Sequence, residues 1–329
     1  MVLRRDGAVV YGYTTTATGM LPLVLSLISN EHRSTYHIKS NAQHKHLWSV
    51  TLTSRPAGGS YNLILASAQQ NVSVRNVTFG ELVMCASNRR TIYIDSQIKN
   101  IQKDVRVHVV TPNPEPYEQI ATKMDPQPAW INLSLLGKTS IGTLAILCAR
   151  SHQNHHKDIP VGVFVSWYPD SELEAWYPTI DQLECAESRC VGGDGTSEVL
   201  TESNYVKCSQ RPRASVETFW NPGNSQLYNG MIRPYVLNRI DIIMMYTDKD
   251  QAENMACTLD RLSKSWLRSW VSSGHDTRPP FLCIFNTEKS HDVQYRVLPS
   301  IKHEDDKQTY LSSSASLSSR IKTIMALEP

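Results

Sequence analysis

The sequence predicts a mainly β protein: an antiparallel, jelly-roll-like sandwich with one amphipathic helix near its C-terminus. Three observations carry that expectation. Short runs rich in β-branched and aromatic residues recur along the chain, separated by Gly, Pro and Asn. Only one segment has an apolar stripe at helical spacing. Hydrophobic residues make up 40% of the 329 and charged residues 19%, a balance that can fill a core rather than stay disordered.

Residues 1–45 read as a mixed lead-in, with a Thr-rich patch (Thr14 to Thr18) and an apolar run, Met20 to Ile28, interrupted by Pro22. That run is too short to span a bilayer as a helix. No small-x-small cleavage site follows it, so the expectation is a protein that is not secreted. On that expectation the sequons at Asn71, Asn76 and Asn132 carry no meaning.

The β-rich core is expected over 46–300. Leu47 to Thr53 alternates and is stopped by Arg55-Pro56-Ala57-Gly58-Gly59. Tyr61 to Ala66, Val72 to Phe79, Thr91 to Ile94 and Val105 to Val110 are further strand candidates. Five prolines between 112 and 128 mark a surface connection. Ser140 to Ala149 and Ile159 to Trp167 read as buried strands, and Ala214 to Trp220 and Asn238 to Tyr246 as later ones. Pro280 to Phe285 and Val293 to Leu298 would close the fold.

The helix is predicted over 251–273. Met255, Leu259, Leu262, Trp266 and Trp270 recur at steps of four, three, four and four, placing them on one face, with Arg261, Lys264 and Arg268 opposite. Two tryptophans on one face point to packing on the same chain's sheet rather than to a membrane. Residues 301–329 turn acidic and then Ser-rich, the pattern of a mobile tail.

Few motifs carry chemistry. Gly137-Lys138-Thr139 ends like a phosphate-binding loop, but Asn132 stands where the first glycine is needed. There is no G-x-S-x-G elbow and no H-E-x-x-H. Cys185, Cys190 and Cys208, with His152, His155 and His156, could in principle hold zinc, but the spacing fits no ribbon or finger, so no cofactor is expected. The seven cysteines are odd in number and scattered, which reads as reduced thiols. Asp170, Glu172 and Glu174 alternate after a strand without an identifiable base or nucleophile nearby, so no catalysis is expected. A net charge of +2 requires any basic surface to come from segregation. Arg89, Arg90, Arg211 and Arg213 are the candidate phosphate contacts.

The order of features from Ile141 to Trp176 resembles the core of the 30K superfamily of plant-virus movement proteins. Ile141 to Cys148 stands for its hydrophobic strand. A polar connection follows, then the Pro- and Gly-containing run Ile159 to Val165, and then Asp170. Val216 to Pro222 resembles the family's strand before a helix, and Gly230-Met231-Ile232-Arg233-Pro234 its conserved Gly. Chain length and the Ser-rich tail are similar to movement proteins of plant rhabdoviruses. Glu172 departs from the family, which commonly has a basic residue there. The resemblance implies a non-enzymatic protein that binds single-stranded nucleic acid and self-associates. It also implies work at plasmodesmata from the host cytoplasm, in contact with host membrane or cell-wall channel proteins. Asp170 and Gly230 would be structural or assembly residues. Two alternatives from other classes stay open: a viral capsid or matrix protein, and a metal-dependent hydrolase built on the His cluster and Asp170.

Overall fold

The computed structural model describes residues 1–13, 23–38, 47–67, 71–90, 92, 104–110, 130–137, 139–153, 158–178, 225–247, 255–272, 281–286 and 295–297. Strands dominate, in two regions joined by one long strand. The N-terminal region holds β1 (Val2–Arg4), β2 (Val9–Tyr13), β3 (Leu23–Ile28), β4 (Arg33–Ile38), β5 (Leu47–Thr51) and β6 (Gly58–Ala66). β3 lies antiparallel between β4 and β6, and β2 pairs with β5 in a separate ribbon. Leu25, Leu27, Leu52, Leu63, Val77 and Phe79 are buried together there, with Tyr61 edge-on to Phe79 at 5.1 Å. Residues 1–45 are thus not a mere lead-in. They supply four strands, because Leu23 to Ile28 and Arg33 to Ile38 can each cover one face of a common core.

β7 (Asn71–Ser87) is 17 residues long and belongs to both regions. Its first half pairs antiparallel with β6, and an irregularity there coincides with Asn76 at φ 55. From Glu81 it becomes the centre of a parallel sheet with β8 (Val105–Val109), β10 (Val161–Trp167), β11 (Ile242–Thr247) and β12 (Phe281–Asn286). The order is β12-β11-β7-β10-β8, with antiparallel β13 (Tyr295–Val297) and β9 (Trp130–Asn132) at the two edges. Gly80 marks the passage between the regions. A Cβ there would overlap the Pro160 carbonyl oxygen, which accepts the Glu81 N–H at 3.0 Å.

The expected antiparallel jelly roll is therefore corrected to a mixed sheet with a parallel centre. Strands buried on both faces read as continuous apolar runs and leave no alternation to reveal their direction. In β7, Leu82, Met84 and Ala86 face one core, while Val83 and Cys85 face the other. Each core has its own helix. α1 (Ser140–Gln153) contributes Leu144, Ala145, Cys148 and Ala149 to the Val83 side. α2 (Met255–Ser272) contributes Leu259, Leu262, Trp266, Leu267 and Trp270 to the Leu82 side.

Ser140 to Ala149 was expected as a strand and is helical. Thr139 starts the helix by accepting the Gly142 N–H on its hydroxyl at 3.0 Å and the Thr143 N–H on its carbonyl at 2.8 Å. A second correction concerns the thiols. Cys85 and Cys148 are joined by a disulfide with their Cα atoms 6.2 Å apart, pinning α1 to β7. Expected strands at Thr91 to Ile94 and Ala214 to Trp220 lie, apart from Ile92, outside the described residues.

Candidate active site

The carboxyl ends of β10, β7 and β11 meet at one place. Ser87, the last residue of β7, stands in register with Trp167 of β10 on one side and Tyr246 of β11 on the other. In open parallel sheets, ligands bind beyond the carboxyl ends where neighbouring connections diverge. β7 is such a strand: the chain leaves it towards β8 and β10, whereas it leaves β11 towards β12.

Ser87 and Asn88 are fully buried, and Trp167, Tyr168 and Tyr246 are partly exposed around them. Arg89 donates its N–H to the Ser87 hydroxyl at 3.1 Å. The Asn88 N–H is taken by the Tyr246 carbonyl at 3.3 Å, and the Ser87 carbonyl accepts the Tyr168 N–H at 3.0 Å. Trp167 donates its indole N–H to the Arg89 carbonyl at 2.8 Å. The Asn88 side-chain amide donates to the Ser171 carbonyl at 2.8 Å. The Ser171 hydroxyl donates to the Tyr168 carbonyl and accepts the Trp176 indole N–H at 2.9 Å. Trp176 passes the chain on to α2, its carbonyl accepting the Trp266 indole N–H at 2.6 Å. A polar, hydrogen-bonded floor thus holds a serine hydroxyl at a strand end.

The sequence candidates are placed as follows. Asp170 forms an ion pair at 2.8 Å with Arg90, three residues beyond Ser87. Asp170 is in the left-handed region at φ 59 and donates its N–H to the Asn88 carbonyl at 2.8 Å. Arg89 is held in the same turn and partly covered. Arg211 and Arg213 lie outside the described residues. Gly230 is buried in a π-helical turn, Tyr228–Ile232, and does not approach Ser87's turn through any described bond. The alternating carboxylates do not share a face: Asp170 is partly open, while Glu174 is buried in the 3-10 turn Leu173–Trp176. His152 falls in the last turn of α1, and Cys185, Cys190, Cys208, His155 and His156 are outside the described residues. Among the described residues no group of three potential metal ligands is found, and no helix is long and apolar enough to cross a membrane.

Ser87 itself was not among the sequence candidates. Its signal was the run Leu82-Val83-Met84-Cys85-Ala86, a strand buried on both faces, ending in two small polar residues.

No family model matches the chain, and no curated protein does. Among solved structures, a carbohydrate acetylesterase from Xanthomonas citri aligns with TM-score 0.57 at 15% identity, over 87% of this chain. This chain spans 57% of that one, a little over half its length. At this identity the likeness establishes a shared fold. A type I pullulanase from Bacillus subtilis aligns at TM-score 0.23 and 9% identity, which carries no argument. The expectation of a non-enzymatic movement protein is corrected: one fold neighbour is a carbohydrate acetylesterase, and this chain's own sheet has a parallel centre where a jelly roll was expected.

Proposed function

We propose that this protein is a serine-dependent ester hydrolase acting on acylated carbohydrate, with Ser87 as its nucleophile. The observation that carries the reading is the position of Ser87, at the carboxyl end of the central parallel strand where the sheet's connections diverge. The fold shared with an acetylesterase supports the reaction class. Trp167 and Tyr246, in register with Ser87 on either side, packed on the α1-side core and partly exposed, offer aromatic surface that a sugar's C–H faces could meet.

In this reading the Ser87 Oγ attacks the ester carbonyl carbon, the alcohol departs, and water then releases the acid from the acyl-enzyme. The Arg89 N–H donates to Oγ in the resting turn, and would serve the developing charge on the ester's carbonyl oxygen only after leaving Oγ. A general base is required, and among the described residues no side chain bonds the Ser87 Oγ, which accepts only the Arg89 N–H.

The test is hydrolysis of p-nitrophenyl acetate and of acetylated xylan by purified protein. Ser87→Ala should lower kcat by at least about a thousandfold. No turnover by the wild type, or turnover that survives Ser87→Ala, overturns the assignment.

A further inference from the structure

The Ser87 turn is tied to a second turn as well as to the strands beside it. Six contacts join residues 87–90 to residues 167–171: Tyr168 N–H to the Ser87 carbonyl, Trp167 indole to the Arg89 carbonyl, and Asn88 amide to the Ser171 carbonyl, with three at Asp170 completing the set. Asp170 is the pivot. Its backbone N–H holds the Asn88 carbonyl at 2.8 Å, and its Oδ2 accepts from both Nε and a terminal nitrogen of Arg90 at 2.8 Å. It holds a positive φ of 59, which side-chain-bearing residues adopt when the surroundings over-determine it. Strained backbone of this kind concentrates where geometry matters for function.

The ion pair is open to solvent, with side-chain exposures of 68% for Arg90 and 40% for Asp170. Exposed pairs contribute little to overall stability, so what this one fixes is local: the path of the chain one to three residues beyond Ser87. We propose that Asp170 is a positioning residue for the Ser87 hydroxyl, holding the 88–90 turn through the Asn88 carbonyl and Arg90. The inference rests on Ser87 acting as the nucleophile.

The experiment uses the full chain with p-nitrophenyl acetate turnover, labelling of Ser87 by a fluorophosphonate, and the thermal midpoint. Asp170→Ala should lower kcat and the labelling rate by roughly ten- to a hundredfold, the effect of a reacting group displaced by about 1 Å. KM should barely move, and the thermal midpoint should fall only by the cost of alanine at a positive φ, a cost that Asp170→Asn does not carry. Asp170→Asn keeps the left-handed backbone and the N–H but loses the charge, and should match Arg90→Gln at an intermediate rate. If Asp170→Ala fails to fold, Asp170→Asn decides. Asp170 variants that turn over and label like an active wild type overturn the inference alone. A wild type that neither hydrolyses ester nor labels at Ser87 removes the nucleophile reading and this inference with it.

Discussion

His108 shows how one residue can set acid sensitivity. It lies on β8 among Trp130, Phe164 and Tyr235, with ring centroids 5.3, 5.2 and 5.7 Å away, and its Nδ1 has no hydrogen-bond partner. Burial pushes its pKa down from 6.5 to about 4. The unfolded chain then binds a proton that the folded chain refuses. Stability is full above the unfolded value and is lost as pH falls from 6.5 towards 4, a shift corresponding to about 3 kcal/mol at most. Asp241 opposes this. Burial, partly offset by Arg4 at 2.9 Å, raises its carboxyl from 3.8 to about 6. Here the folded chain takes the proton first, so stability is gained as pH falls through 6. Asp241→Asn removes the opposing term, and its thermal midpoint should fall more steeply than the wild type's between pH 6.5 and 4. His108→Phe should fall less steeply than the wild type. Parallel slopes in all three proteins would show that neither group titrates as its surroundings dictate.

At the scale of elements, α2 was legible in the sequence and α1 was not. The α2 stripe leaves Lys264 and Arg268 exposed and buries Leu259, Leu262, Trp266 and Trp270, so periodicity alone fixed its orientation. The α1 run is apolar nearly all round, Ile141, Ile146 and Leu147 being partly buried beside the fully buried face, and a short apolar run cannot be told from a buried strand. The same ambiguity hid the second half of β7 and with it Ser87. Asp170 was legible as a strand-end residue, but its partner Arg90 stands 80 positions away, a distance no local pattern spans. Trp266 and Trp270 also bond their indoles to the Trp176 and Asn238 carbonyls, at 2.6 and 3.2 Å. Trp266→Ala should therefore lower folding stability by about 3–5 kcal/mol in urea titration. The disulfide tests the other helix. Non-reducing peptide mapping should recover Cys85 linked to Cys148, and Cys148→Ala should cost about 2–5 kcal/mol. A bond of this kind persists in oxidising surroundings, which runs against the expectation of reduced thiols.

For the whole molecule, the question is whether the two regions stand or fall together. They share β7 without a break, and β1 crosses the junction beside it, pairing with Thr78 to Gly80. Arg4 and Arg5 then clamp the parallel sheet, through Asp241 at 2.9 Å and Glu81 at 3.0 Å. The Leu82 N–H donates to the other Asp241 oxygen at 2.9 Å, so the carboxylate joins β1, β7 and the entry to β11. A strand cannot keep half its ladder while the other half melts without exposing apolar surface at the break, and here Phe79 and Leu82 stand on either side of Gly80 in different cores. Unfolding should therefore be one transition. In native-state hydrogen exchange, the amides of Leu25 and Leu63 in the N-terminal core should open with the same free energy and denaturant dependence as those of Leu82 and Val163. Gly80→Ala forces a Cβ against the Pro160 carbonyl and should lower both sets equally, by about 1–3 kcal/mol. If the N-terminal amides open at lower free energy, or if Gly80→Ala weakens one set and spares the other, β7 is a linker between two independent units and the clamp at Asp241 does not couple them.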